Sequence, residues 1–252
     1  MTITQQTTTI ALVTGANRGL GFATARLIAQ NGAMVLLGAR NTAKAELAAA
    51  ELRDEGLACW PITLDVESGS SIAEAAAQVE REHGRLDILV NNAGILPEAT
   101  TPEADQPLDI GLFRRTFDTN VFGAAAVSQA FLPLLRAADA GRIVNVSSRM
   151  GSLTDQLDPT SPYAAMVLPA YQSSKAALNG LTVALAKSLS DTPVRVNSVC
   201  PGWVQTDLGG PDNRAAAPTP ALEAARAVVQ MAFVPADGPT GTFVDLDGPI
   251  PW

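Results

Sequence analysis

Histidine is almost missing from this 252-residue chain, His83 being its only one. That excludes a His-based catalytic triad and a histidine-rich zinc site, and no metal site is expected. Cys59 and Cys200 are the only cysteines, too few for a disulfide framework and in keeping with a reducing, cytoplasmic setting. Positive charge is also in deficit, with 17 Lys and Arg against 25 Asp and Glu and a formal net charge of −8. This argues against a nucleic-acid surface and against anionic membranes, although one local arginine is enough to hold a phosphate. No apolar run reaches membrane-spanning length. Residues 1–9 are polar and rich in Thr and Gln, lack the basic and apolar regions of a signal peptide, and read as a flexible start. What remains is a composition that is 47% hydrophobic and 17% charged, typical of a globular protein, and long enough for residues 10–252 to form one domain.

Short apolar runs at 10–14, 34–37, 58–64, 86–90, 142–146, 194–199 and 241–246 predict strands. Helical patterns at 20–30, 42–55, 70–82, 110–138, 169–190 and 219–231 separate most of them, with a kink expected near Pro133 and a serine cap ahead of Ile72. Strand–helix alternation implies right-handed crossovers. The expected fold is therefore α/β, a Rossmann-type doubly wound arrangement with a mainly parallel seven-stranded sheet and helices on both faces. Two irregular stretches, 149–168 and 202–220, follow the carboxyl ends of strands, where ligands bind in open α/β sheets. They are either substrate-covering segments or plain surface loops.

The chemistry centres on Tyr171-Gln-Ser-Ser-Lys175, which sets a phenol and an ammonium four residues apart on one helix face. A nearby cation favours phenolate, so the expectation is a tyrosine pKa lowered toward neutrality and suited to proton exchange with a carbonyl or alcohol oxygen. Upstream, Thr14-Gly15-Ala16-Asn17-Arg18-Gly19-Leu20-Gly21 joins the first strand to the first helix. Glycines permit a tight turn and close approach of a pyrophosphate, and the helix N-terminus offers free N–H groups to it. Arg40 follows the second strand where a carboxylate would select a free ribose 2′-OH. With Arg18 it points to NADP(H) rather than NAD(H). Asp65-Val66 follows the third strand; the carboxylate either meets the adenine amino group or caps the next helix. Asn92-Ala93-Gly94 follows the fourth strand with side chains small enough for a cofactor to lie across the sheet end.

Taken together in order, Thr14-Gly15-x-x-x-Gly19-x-Gly21, Asn92-Ala93-Gly94, Asn120, Ser148, Tyr171-x-x-x-Lys175 and Pro201-Gly202 make the chain resemble the short-chain dehydrogenase/reductase superfamily from about Ile10 onward. The stretch Cys200-Pro-Gly-Trp-Val-Gln-Thr-Asp207 and the Thr-Gly-Thr-Phe-Val ending look most like its carbonyl-reductase-like branch. The resemblance implies that Tyr171 is the general acid in reduction and base in oxidation. It implies that Lys175 holds the nicotinamide ribose and acidifies Tyr171, and that Ser148 hydrogen-bonds the substrate oxygen. Asn120 would hold a proton-relaying water, and Pro201, Gly202, Val204 and Thr206 would frame the nicotinamide. Of the adjacent Ser147 and Ser148, which point opposite ways on a strand end, the family pattern selects the second. Ser148 and Tyr171 stand 23 positions apart, a longer gap than is usual in the family. Tyr163, the other tyrosine, has Val167 and not lysine four residues on, and is left as a candidate pocket wall. Trp203 and Met150 each read either as substrate neighbours or as ordinary packing.

The expected activity is reversible NADPH-dependent reduction of a ketone or aldehyde. The alternatives are reduction of a conjugated C=C bond, alcohol oxidation on the same scaffold, or a non-catalytic NADP-binding regulator. The expected partner is a small carbonyl or alcohol, with self-association left open.

Overall fold

The computed structural model describes residues 8–100 and 108–252. All of β1 (Ile10–Thr14) is buried, and a strand covered on both faces calls for a continuous apolar run rather than alternation. It is followed by α1 (Gly19–Gln30), β2 (Met34–Ala39), α2 (Thr42–Asp54), β3 (Cys59–Thr63), α3 (Gly69–His83) and β4 (Ile88–Asn91). The second half runs α4 (Ile110–Phe117), α5 (Ala124–Arg136), β5 (Arg142–Val146), α6 (Leu153–Leu157), α7 (Pro169–Ser188), β6 (Arg195–Val199), α8 (Gly210–Ala216), α9 (Ala221–Ala232) and β7 (Phe243–Val244).

The strands form one sheet in the order β3-β2-β1-β4-β5-β6-β7. Every neighbouring pair is parallel, so the sheet is more uniform than the mainly parallel one expected. Strand order reverses between β1 and β4, and the carboxyl ends there open the crevice that such sheets use for ligands. Side chains alternate across the sheet. Ala11, Val13, Val35 and Leu37 pack to one side with Ile28 of α1, Leu52 of α2 and Val228 of α9. Leu12, Leu36 and Leu89 pack to the other with Val79 of α3 and Phe131 and Leu135 of α5. A buried polar chain also crosses the sheet. Asn91 Nδ2 donates to Ser128 Oγ (2.9 Å) and Asn145 Oδ1 (2.8 Å), Asn145 Nδ2 to Thr182 Oγ1 (2.8 Å), and Ser198 Oγ lies 2.8 Å from Thr182 Oγ1. It ties α5 and α7 to β4, β5 and β6.

Several details differ from expectation. The helix expected over 110–138 is interrupted by a π-helical turn at Asp118–Gly123, ahead of Pro133, which sits inside α5. The cause is tertiary. A Cβ on Gly123 would fall 3.0 Å from Val66, Thr119 bonds to Glu67, and the Asn120 side chain is pinned to the backbone of Ile95. An extra residue per turn accommodates all three, and such turns gather at functional sites. Asp65 does not cap α3. Its carboxylate accepts from Glu67 N (3.1 Å), and Ser68, the residue next to the helix, accepts from Ser71 N (3.3 Å). The irregular stretches each contain a short helix, α6 and α8. The flexible start was expected to include residues 1–7, which lie outside the described residues. Beyond them the carbonyl of Thr8 accepts from Arg85 Nη2 (2.9 Å) and that of Thr9 from Met34 N (2.8 Å).

Candidate active site

The glycine turn between β1 and α1 is held from the β4 side. Thr14 Oγ1 donates to Val90 O (3.3 Å) and accepts from Asn92 N and Ala93 N (3.0 Å each), while Asn92 Nδ2 donates to Thr14 O at 2.8 Å. Gly15 and Gly19 take φ of +64° and +58°, the left-handed region where a side chain is strained. Gly21 is required for another reason: a Cβ there would lie 2.5 Å from both Asn92 Nδ2 and Gly15 O. Arg18 precedes the helix in an extended conformation, and no side chain caps the first turn of α1. The first amides of α1, at Gly19, Leu20 and Gly21, thus have no side-chain cap beside the glycine turn. This donor set fits the pyrophosphate of a dinucleotide.

Arg40 is exposed just past β2 and has no ion pair or hydrogen bond among the described residues. Arg18 is not free in the same way. Its Nη1 meets Asp207 at 3.1 Å, and Asp207 also meets Arg214 at 2.9 Å. This exposed cluster joins the phosphate turn to the segment after β6, where Thr206 lies 3.3 Å from where a Gly19 Cβ would be. The same segment begins at Pro201-Gly202, with Gly202 at φ +80°, and Val204 bridges to Thr219. Asp65 and Val66 are half-buried beyond β3.

Tyr171 and Lys175, one turn apart on α7, are both buried, at 6% and 5% relative exposure. The Tyr171 phenol lies beside the Ser148 side chain, whose Oγ accepts from Met150 N at 3.2 Å. Ser147 instead turns away and donates to Lys175 O (3.5 Å). Lys175 Nζ donates to Val146 O (2.8 Å) and stands 5.5 Å from the Tyr171 ring centroid. Gly151 lets the turn after Ser148 reach this helix, since a Cβ there would fall 2.6 Å from Lys175 C.

The electrostatics run against the simple expectation for Tyr171. Burial is the largest influence and pushes the phenol well above its usual range; the nearby Cys200 adds to this and the Ser148 hydroxyl opposes it. Lys175 is itself pushed down to about 8 by burial, with Cys200 opposing. An ammonium that pays for its own desolvation is a weak acidifier of its neighbour. In the free protein the phenol is therefore held protonated.

Asn120 projects from the π-helical turn. Its Oδ1 accepts from Ile95 N (2.8 Å), and its Nδ2 donates to Ile95 O (3.0 Å) and Ser174 Oγ (3.1 Å). It thereby joins the Asn92-Ala93-Gly94 loop to α7. Gly94 is packed between Asn120 and Lys175: a Cβ on it would be 3.3 Å from Asn120 Oδ1 and 3.8 Å from Lys175 Nζ.

These elements are arranged at the carboxyl ends of β1, β4, β5 and β6. The family model described as short chain dehydrogenase matches residues 9–217. The chain belongs to the short-chain dehydrogenase family. Among proteins similar to this short-chain dehydrogenase is the short-chain dehydrogenase anuI of Penicillium roqueforti, 42% identical over 80% of this chain and 81% of that protein. Another is (+)-neomenthol dehydrogenase of Arabidopsis thaliana, 33% identical over 95% and 96%. Of solved structures, NADPH-bound carbonyl reductase from chicken fatty liver superposes with a TM-score of 0.81 at 26% identity, covering 97% of this chain and 99% of that one. Salutaridine reductase from Papaver somniferum gives 0.79 at 28%, covering 93% and 99%.

Some residues of this short-chain dehydrogenase's site were not foreseen. Glu98 accepts from Ala170 N (2.9 Å) and Tyr171 N (2.7 Å). Cys200 Sγ accepts from Arg149 N (3.3 Å) and Gly202 N (3.4 Å). Arg149 is neutralised by Asp155 and Asp245, at 2.9 Å each. No local pattern announces the contacts of Glu98 with α7, of Cys200 with Arg149 or of Arg149 with Asp245, because each joins segments far apart in sequence. Trp203 donates to Asn213 Oδ1 (2.6 Å), which favours loop packing, and Met150 is buried. Tyr163 is half-buried and its phenol is pushed up, first by burial and then by Cys200. His83 ends α3, and both cysteines are buried and free. Among the described residues no helix is long and apolar enough to cross a membrane, and no cluster of His, Cys, Asp or Glu is arranged to hold a metal.

Proposed function

We propose that this short-chain dehydrogenase reduces a ketone or aldehyde to an alcohol, reversibly, using NADP(H). The observation that carries the reading is the buried Tyr171 phenol, set beside Ser148 and backed by Lys175 at the open end of the sheet. The cofactor, when bound, supplies the hydride. The protein's part is to hold the carbonyl and deliver a proton. Ser148 Oγ donates to the substrate oxygen and stabilises charge developing there. Tyr171 gives its proton to the same oxygen. Burial keeps that proton in place at neutral pH, which suits the reducing direction. Lys175, close to the Tyr171 ring, would bond a nicotinamide ribose and ease the return of a proton to Tyr171.

Gly15, Asn17, Arg18, Gly19, Leu20 and Gly21 would cradle the pyrophosphate. Asp65 and Val66 would flank the adenine, and Asn92, Ala93 and Gly94 would floor the crevice. Pro201, Gly202, Val204 and Thr206 would cover the nicotinamide. Unpaired Arg40 supports a 2′-phosphate and hence NADP(H), in line with the NADPH carried by the carbonyl reductase neighbour. Asn120 spends its side chain on Ile95 and Ser174, so any water it holds toward Lys175 would be held by its main chain.

Tyr171→Phe tests the reading. Removing the proton donor should lower kcat by about three orders of magnitude or more while NADPH still binds. Wild-type turnover by that variant on a panel of carbonyl compounds would remove Tyr171 from the mechanism.

A further inference from the structure

We propose that Glu98 is a positioning residue for Tyr171, clamping the start of α7 to the loop that floors the cofactor crevice. The proposal rests on the reductase reading above. Leu168, at the N-cap of α7, provides no side-chain bond, and Pro169 has no N–H. Ala170 and Tyr171 therefore supply the first free amides of the helix, and the Glu98 carboxylate takes both, one on each oxygen, at 2.9 and 2.7 Å. A carboxylate at a helix N-terminus is favoured both by the unpaired N–H groups and by the helix dipole. What sets this contact apart is its reach. The partners are 72 and 73 positions away in sequence, and one of them is the main chain of the candidate proton donor itself.

Glu98 lies on the 3₁₀ turn Pro97–Ala99, directly after Asn92-Ala93-Gly94 and Ile95. Asn120 grips the same loop at Ile95 and grips α7 at Ser174. The floor of the crevice and the helix bearing Tyr171 are thus joined at two points. Glu98 is the point that bonds the main-chain amide of Tyr171 itself. Cutting it frees the first turn of α7, so the distance from the phenol to the reacting oxygen is no longer defined. Proton transfer is steeply sensitive to such a displacement.

The experiment compares wild type with Glu98→Gln and Glu98→Ala. The glutamine keeps the size but sets an NH2 against one of the two amides, leaving one good bond. Expected is a kcat lower by about tenfold in the glutamine variant and more in the alanine variant, with NADPH affinity within about twofold and one NADPH bound per chain. The solvent deuterium isotope effect on kcat should rise as proton transfer from Tyr171 becomes slower. A loss of folded protein alone would lower the NADPH stoichiometry and leave the isotope effect unchanged. Hydrogen exchange at residues 168–175 of the cofactor-free protein supplies a readout independent of turnover, and should be faster in both variants. A kcat within twofold of wild type, an unchanged isotope effect, or unchanged exchange would overturn the proposal. If wild type reduces no carbonyl compound, the reductase reading fails by itself. Exchange then decides the clamp alone, faster exchange upholding it and unchanged exchange sinking it.

Discussion

The two sides of the crevice are built by opposite means. On the phosphate side, around β1, α1 and β4, the backbone itself makes the surface. Gly15, Gly19 and Gly21 are there because side chains would be strained or would collide, and the groups proposed to meet the cofactor are main-chain amides. On the carbonyl side, around β5, α7 and the segment after β6, side chains make the surface, and contacts distant in sequence place them: Ser148 against Tyr171, Lys175 on Val146, Glu98 on α7. Backbone-built surfaces are rigid and generic to one ligand group. Surfaces built from side chains are adjustable, and a displaced neighbour detunes them. Binding of the cofactor's phosphates and the chemical step should therefore separate under mutation.

The sharpest form of that contrast pairs two glycines. Gly21→Ala puts a methyl 2.5 Å from Gly15 O and Asn92 Nδ2, and should weaken NADPH binding by about a hundredfold, measured by calorimetry. Gly151→Ala puts one 2.6 Å from Lys175 C, and should lower kcat about tenfold with NADPH affinity nearly intact. If both variants lose the same parameter, the two sides are not separable.

Arg40→Asp comes next. Replacing an unpaired cation by a carboxylate should shift the NADPH-to-NADH preference by about tenfold or more toward NADH, read as the ratio of kcat/KM values. An unchanged ratio would show that Arg40 does not read the 2′-phosphate.

A smaller effect follows from Lys175. In the free protein its pKa is pushed down to about 8, so at about pH 9 it is mostly neutral, whereas at about pH 7 it is already protonated. An anionic cofactor beside it favours the ammonium. Binding should therefore take up close to one proton near pH 9 and almost none near pH 7, measured by calorimetry in buffers of different ionisation enthalpy. The uptake should vanish in Lys175→Met. The smallest effect is expected for Asp207→Asn. Its pairs with Arg18 and Arg214 are exposed, worth less than about 1 kcal/mol, and NADPH affinity should change by no more than a few-fold.

The same division separates what could be read in the sequence from what could not. β1, β2 and β4 were legible because strands buried on both faces leave continuous apolar runs, and the glycine turn because its spacing records backbone constraints. Tyr171, Lys175 and Ser148 were legible as a spaced set. The π-helical turn was not, since it arises from Val66, Glu67 and Ile95 pressing on 118–123 from elsewhere in the chain. Pro133, where a kink was expected, sits inside α5 beyond that turn. Asp65 was a plausible cap by composition, yet Ser68 is the residue adjacent to α3.

Residue order alone determined the alternation of strands and helices, the parallel sheet and the spacing of the candidate reacting side chains, because these depend on periodicity and local sterics. The state of those side chains was decided only by the tertiary structure. Burial, absent from any linear pattern, raises the phenol and lowers the ammonium, reversing the simple expectation that the lysine acidifies its neighbour. The carboxylate that holds Tyr171 in place likewise belongs to the fold, since only packing brings Glu98 to the start of α7.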